Sequence, residues 1–403
     1  MTRDTEQRVS IVPGGLADSG PVAPEQSRVQ PLSVCHVVSG DCWAGAEVQV
    51  ATLVRALCRQ DEVRVSAITL NEGRLADELH KAGALVKVIA ESRNSFARIL
   101  AEAVPFVRQQ GVQVLHSHRY KENLLAQLLA LRCGVPVKVQ TKHGMPEPFA
   151  GWKSLRQAVV QRLDRWTGRL SADAVIAVSA GMETELRRIY GARKVVTIRN
   201  GIDTANVNSS YTREEAKALL GCTSAPVIGI VGRLEPIKRI DLFLKMAEIV
   251  KVQQPDAQFV VAGEGSLRQS MISFARQSGL AANVQFLGHR EDIHNVIRAM
   301  DVLVMCSDHE GLPMVLLEAL WLGVPVVGRD VGGIREVLQD SRNGLCVATA
   351  APEDLAAACL RLLCDRPLGE FLCRSGARTI EQEFSAESNA GAIFRLYREL
   401  CER

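Results

Sequence analysis

From Leu32 onward, short apolar runs rich in β-branched residues alternate with stretches of helical periodicity, and little else intervenes. Strand candidates fall at 32–39, 63–70, 85–89, 112–116, 135–141, 173–178 and 194–199. A second series follows at 226–231, 257–262, 283–287, 301–305, 324–328 and 344–347. Between them apolar residues recur at helical spacing, as in Val48, Ala51, Leu53, Val54 and Leu57, or Phe96, Ile99, Leu100, Ala103, Phe106 and Val107. Strands separated by helices pair in parallel, and a parallel sheet needs helices on both faces. The Asn200-Gly201 turn signal and a polar, strand-free stretch from Asp203 to Ser224 divide the two series. A chain of 403 residues also exceeds one ordinary core. The expected organisation is a disordered tail at 1–31, α/β domains at 32–203 and 204–385, and a last helix at 386–403 that packs on either half, the N-terminal domain included.

Composition closes off several classes. A net charge of +3 is too small to make nucleic acid a main partner. Eleven cysteines without a C-x-x-C pair, several of them (Cys35, Cys306, Cys346) in strand-like runs, read as buried reduced thiols of a cytoplasmic protein. No apolar run approaches the roughly 18–20 residues of a membrane span. The first residues lack the apolar core of a signal peptide.

One stretch concentrates chemistry: Ser307 to Asp330, SDHEGLPMVLLEALWLGVPVVGRD. The strand at 301–305 feeds a polar loop, Pro313 suits a first helical turn, and apolar spacing from Val315 to Leu322 runs to a stop at Gly323. Free backbone N–H groups at such a helix start bind phosphorylated ligands. Glu310 precedes the helix and Glu318 interrupts its apolar face eight residues on. An acid at a helix start can be a plain cap, but a charge at position 318 is costly unless something pairs with it. Two acids that take up the hydroxyls of a polyol such as a sugar are the stronger reading.

Comparable loops end other strands. Gly45, in Gly40-Asp41-Cys42-Trp43-Ala44-Gly45, opens a helix after the first strand, without the G-x-G-x-x-G of a nicotinamide-binding fold. Gly232-Arg233-Leu234-Glu235-Pro236-Ile237-Lys238 follows the strand at 226–231, and its two cations, five residues apart, suit one diphosphate. Gly263-Glu264-Gly265, Gly288-His289-Arg290 and Gly332-Gly333 end three further strands and would line the same crevice. His116, His118 and His143 stand at strand ends in the first series, each a structural or a ligand-facing residue. A zinc site there lacks a third and fourth ligand at suitable spacing. Residues 152–169 form a basic amphipathic helix with Lys153, Arg156, Arg162, Arg165 and Arg169. It is either a solvated face or a peripheral contact with an anionic inner membrane face.

Taken together, Gly232-Arg233…Lys238, Glu310-Gly311-Leu312-Pro313…Glu318-Ala319 (an E-x7-E signature) and the Asn200-Gly201-Ile202-Asp203 turn resemble the retaining glycosyltransferases of glycosyltransferase family 4. The resemblance covers nearly the whole chain after Leu32. It implies a GT-B fold: two Rossmann-like, doubly wound parallel-sheet domains facing each other across a cleft. It implies transfer of a sugar from a nucleotide-diphosphate sugar, UDP- or GDP-linked, to a hydroxyl of a glycan, a lipid-linked saccharide or another glycoconjugate. Anomeric configuration would be retained, with the leaving diphosphate assisting deprotonation. Under that resemblance Arg233 and Lys238 hold the diphosphate, Glu310 the transferred sugar and Glu318 the ribose. Gly232, Gly311, Leu312 and the N–H groups of Met314 and Val315 would complete the phosphate loops. His289 and Arg290 would border the base, Gly45 would approach the phosphates, and His143 would sit near the reacting centre. The family often carries two glycines where this chain has Ala44-Gly45. No D-x-D pair occurs, so no obligatory metal or other cofactor is expected. Rival readings are a sugar-nucleotide epimerase, a pyridoxal-dependent phosphorylase on the same two-domain plan, and a non-catalytic sugar-nucleotide binding protein.

Overall fold

The computed structural model describes residues 30–41, 43–144, 153–222 and 224–403, with backbone alone for 153–161. The tail expected at 1–31 therefore lies outside the described residues, save its last two, as do the loop at 145–152 and the side chains of Lys153 and Arg156. The first series of strands is β1 (Leu32–Val38), β2 (Val63–Thr69), β3 (Leu85–Val88), β4 (Val114–Ser117), β5 (Val137–Lys142), β6 (Ala174–Ala177) and β7 (Val195–Thr197). They form one parallel sheet in the order β3-β2-β1-β4-β5-β6-β7. The second series is β8 (Val227–Val231), β9 (Gln258–Ala262), β10 (Val284–Gly288), β11 (Val302–Met305), β12 (Val326–Arg329) and β13 (Leu345–Val347). Its order is β10-β9-β8-β11-β12-β13, again parallel throughout.

Both sheets are doubly wound, and in both the order reverses beside the first strand. That reversal opens a crevice at the carboxyl ends of β1 and β4 in one sheet and of β8 and β11 in the other. The strands beside each crevice are buried because helices cover both faces: β4 and β11 are buried along their whole length, although β4 carries His116 and Ser117. Phe243 and Phe259 meet edge to face in the second core, with ring centroids 6.3 Å apart. Truncating a fully buried residue such as Leu303 to alanine should cost about 2–5 kcal/mol.

Pro31–Arg403 is a single compact unit, and the two sheets are joined by a double crossing of the chain. Ile202 N–H donates to the Phe384 carbonyl (2.9 Å) and Ala386 N–H to the Ile202 carbonyl (2.9 Å). A Cβ on Gly201 would stand 2.3 Å from the Ser385 carbonyl oxygen, so glycine is what lets the strands of this crossing touch. The helix Ala386–Cys401 then packs against the first sheet, on the helix Gly45–Cys58 and β5, with Tyr397 fully buried.

Some local details differ from expectation. Serine is a residue type that caps helix starts, and Ser179 occupies the N-cap position of the helix Ala180–Tyr190, but its buried hydroxyl makes no capping bond; the Met182 N–H bonds to the Ser179 carbonyl instead. Pro313 is the N-cap residue of the helix Met314–Trp321 and lies one position before its first turn. All ten described cysteines are free; Cys35 and Cys306 are buried, but Cys346 is only partly so, and Cys364 and Cys401 are exposed. The helix Lys153–Ser171 inverts the usual amphipathic logic over its described part. Asp164 is buried, whereas Leu163, Trp166 and Leu170 face outward beside the exposed Arg162, Arg165 and Arg169.

Candidate active site

The crevice between β8 and β11 gathers charge. The loop after β8 tightens into the short 3₁₀ turn Pro236–Lys238 and brings Lys238 back over Gly232. Lys238 Nζ donates to Glu310 Oε1 at 2.5 Å, and Ser307 Oγ donates to the same oxygen at 2.6 Å. The two loops are also joined by backbone, since Asp308 N–H donates to the Ile237 carbonyl (2.9 Å). Gly332 and Gly333, from the loop after β12, press against Glu310 and Gly311, where a Cβ would lie 2.3 and 1.6 Å from their carbonyl oxygens. Arg233 occupies the exposed side of the same crevice loop. Lys238 is thus engaged by an acid, while Arg233 stands exposed on the same loop.

The helix Met314–Trp321 starts at this crevice. Its first N–H groups, on Met314 and Val315, have no intrahelical acceptor. Across from it, a Cβ on Gly45 would stand 3.8 Å from Met314 Cγ, so the helix starts of both domains converge. Two helix starts aimed at one space favour an anion there. Glu318, one turn further along, is only 7% exposed, and burial raises its carboxyl to about 7. It makes no hydrogen bond or ion pair with any described side chain, so it is an acid that still lacks partners.

Gly263 N–H donates to the Gly288 carbonyl (2.8 Å), which draws the loops after β9 and β10 together. His289 is exposed there, while Arg290 grips Asp292 through two bonds of 2.7 Å. These residues stand two strands away from β8, at the margin of the crevice.

The crevice of the first sheet holds histidines. His36 on β1 lies in register with His116 on β4. His36 Nδ1 is 3.1 Å from His118 Nε2, and His118 Nδ1 is 3.1 Å from His143 Nε2. His116 stacks on His118 with centroids 4.4 Å apart, its nitrogens taken by Thr141 Oγ1 (2.7 Å) and Tyr397 Oη (2.5 Å). Burial pushes His36 and His143 down to about 3 and holds His116 and His118 well below the usual imidazole range, so all four are neutral at pH 7. Sequence spacing offered no third partner for the histidine pair; His36 supplies one, and nitrogens of His36, His116 and His118 lie within 4.8 Å of one another. The hydrogen bonds already occupy both nitrogens of His116 and the facing nitrogens of His36 and His118, which makes the group a hydrogen-bonded cluster. The carbonyl of His143 abuts Gly311, so this cluster reaches the Glu310 loop of the other domain.

Comparison with known proteins agrees with this geometry. Residues 43–206 match the family model described as Glycosyltransferase Family 4, and residues 212–377 match that of Glycosyl transferases group 1. The alpha-maltose-1-phosphate synthase of Mycolicibacterium smegmatis is 30% identical over 72% of this chain and 80% of its own. The chain belongs to glycosyltransferase family 4. This glycosyltransferase is also 29% identical to the putative glycosyltransferase EpsF of Bacillus subtilis, over 90% of its length and 96% of that protein. It is 24% identical to an Escherichia coli UDP-Gal:alpha-D-GlcNAc-diphosphoundecaprenol alpha-1,3-galactosyltransferase, over 91% and 96%. Its fold is GT-B, matching Anabaena HepE in complex with UDP-glucose at a TM-score of 0.79, with 20% identity, 91% of this chain and all of that one.

Several side chains of the site escaped sequence reading. His36 carries no local motif and becomes visible only once β1 and β4 are paired. Asn200, read as part of a turn, donates through Nδ2 to the Leu312 carbonyl (3.1 Å) and so ties the interdomain crossing to the signature loop. Among the described helices none is long and apolar enough to cross a membrane.

Proposed function

We propose that this glycosyltransferase takes a sugar from a nucleotide-diphosphate sugar and passes it to a hydroxyl acceptor with retention of anomeric configuration. The observation that carries the reading is the β8/β11 crevice: two helix starts and Lys238 provide an anion site, and Glu318, buried without a partner among the described residues, lies one turn beyond it. In this reading Lys238 and Arg233 neutralise the diphosphate as the bond from its oxygen to the anomeric carbon breaks. The acceptor oxygen forms the new bond on the same face, and its proton passes to an oxygen of the departing diphosphate. Glu310, held by Lys238 and Ser307, accepts hydroxyls of the transferred sugar; Glu318 accepts those of the ribose. His289 and Arg290 border the base, and His143 faces the sugar from the opposite domain. The positive groups already present, and the lack of a D-x-D pair, support catalysis without an obligatory metal or other cofactor; full activity in excess chelator is the expected result. The UDP-sugar named for the E. coli relative and the UDP-glucose bound to HepE support a uridine donor.

The acceptor is the second part of the proposal. The relative just named acts on a diphosphoundecaprenol-linked sugar. The exposed Leu163, Trp166 and Leu170 beside Arg162, Arg165 and Arg169 suit shallow contact with an anionic bilayer, where such a lipid resides. Incubation with UDP-sugars and lipid-linked saccharides, followed by NMR of the product anomer, tests both parts. An α-linked product from an α-linked donor supports them. A changed sugar nucleotide with no transfer would support the epimerase alternative, and an inverted product would end the retaining one.

A further inference from the structure

His118 is the middle member of a chain, because its two ring nitrogens serve different neighbours: Nε2 faces His36 and Nδ1 faces His143, each at 3.1 Å. A neutral imidazole has one N–H and one bare nitrogen, so His118 can donate to one neighbour only and must accept from the other. The three tautomers are therefore locked together, and the chain has two permitted polarities. In the first, His36 Nδ1–H donates to His118, His118 Nδ1–H donates to His143 Nε2, and His143 shows an N–H at Nδ1. In the second, every proton moves to the opposite nitrogen, leaving an N–H on His36 Nε2.

Position in the fold chooses between them. His36 is fully buried, and its Nε2 has no partner among the described residues. An N–H stranded there would stay unpaired, which folded proteins avoid more strictly than a bare acceptor. His143 Nδ1 is likewise buried and without a partner among the described residues, but His143 as a whole is partly exposed where the two domains meet, its carbonyl against Gly311. A proton at that end can be met by a bound ligand. His116, fixed by Thr141 and Tyr397 and stacked on His118, braces the chain from the side.

We propose that His36 and His118 are positioning residues that fix His143 as a neutral Nδ1–H donor, so that His143 offers a hydrogen bond to an oxygen of the bound sugar donor and does not act as a base. The proposal rests on the functional reading above, but its structural half is measurable without turnover. Ring ¹⁵N NMR of the full chain, with His143 assigned by loss of its signals in His143→Ala, reads the tautomer directly. Protonation at Nδ1 is expected, and protonation at Nε2 would overturn the proposal. In His118→Ala the His143 signals should shift toward a mixture of tautomers, and kcat should fall roughly 10- to 100-fold with KM for the donor little changed. His118→Asn, which keeps one donor and one acceptor, should recover most of that loss. An unchanged His143 tautomer in His118→Ala refutes the coupling. Should His118→Ala not fold, the wild-type tautomer and the His36→Ala spectrum decide the matter. If no sugar is transferred by any form, the functional reading fails while the tautomer result stands on its own.

Discussion

The two crevices share one topology and hold different chemistry. At β8/β11 the loops carry Lys238, Glu310 and Arg233, and the charges there are kept by pairing; Lys238 and Glu310 are both largely buried yet meet at 2.5 Å. At β1/β4 four imidazoles, all neutral through burial, are gathered at the strand ends, and beside them Arg119 is held by Asp41 and Glu47. A diphosphate demands cations and free N–H groups; the second crevice offers Lys238 and Arg233 beside a helix start, whereas Arg119 in the first is engaged by two carboxylates. A sugar and its acceptor present hydroxyls, and neutral hydrogen-bonding rings suit those without adding charge. The difference teaches that the fold determines where a ligand lies, whereas the residues at each switch point determine which end of it lies there.

Removing charge from one side breaks that contrast most severely. Lys238→Ala should lower kcat/KM by on the order of 10³-fold, because the leaving diphosphate loses a preorganised cation. Arg233→Ala should do the same with less effect on folding, since Arg233 is exposed. Steady-state kinetics alongside a melting curve separates the two effects; turnover near the wild-type value in Arg233→Ala would remove the proposed division of roles.

Glu318 sharpens the contrast through pH. Its folded carboxyl sits at about 7 and its unfolded one near 4.5, so the native state holds the proton more tightly. The ligand-free protein should therefore lose stability from this group as pH rises from about 4.5 to 7. Ribose hydroxyls would bond best to the ionised form, so affinity for the nucleoside diphosphate should increase as pH rises through 7. Glu318→Gln should flatten that pH dependence and weaken binding by roughly 1–2 kcal/mol. Calorimetric titration at pH 6 and 8 measures it, and identical slopes in both proteins would exclude Glu318 from the site.

The histidines should show the reverse sign. His36 and His143 sit at about 3 when folded and near 6.5 when unfolded, so the unfolded chain takes up protons first. Stability should decline as pH falls from about 6.5 toward 3. Denaturant midpoints across that interval check this, and a flat profile down to pH 4 would contradict the burial of the cluster. The smallest effect is expected at the surface. Trp166→Ser should reduce co-sedimentation with anionic vesicles by a few-fold and leave turnover of a soluble acceptor unchanged; equal sedimentation of both proteins would argue for a merely solvated helix.

Much of this was legible before any coordinates. The apolar alternation marks every strand of both sheets, because most of these parallel strands are covered on both faces; the edge strand β3 is mostly exposed. The Glu310 and Lys238 loops could be placed in one crevice, since strand ends and helix starts are local patterns. Other parts depend on partners distant in sequence. Tyr397 reaches His116 across 281 positions, and the pairing of β1 with β4 brings His36 beside His118. The helix at 153–171 has the period of a core-facing helix, but Asp164 is drawn inward by Lys142 (2.9 Å) and Tyr190 (3.2 Å), so the face with Leu163 and Trp166 turns outward. Periodicity finds a stripe; it does not say which side of the stripe a buried ion pair will choose.

The central claim is that the β8/β11 crevice binds a nucleoside diphosphate between Lys238 and Glu318. Thermal shift of the wild type, Lys238→Ala and Glu318→Gln against a panel of nucleoside diphosphates and their sugars tests it most directly, because a ligand that binds the native state stabilises it in proportion to its affinity. At least one nucleotide should raise the wild-type melting temperature, and both substitutions should shrink that rise. A panel that leaves the wild type unmoved, or a rise that survives both substitutions intact, would contradict it.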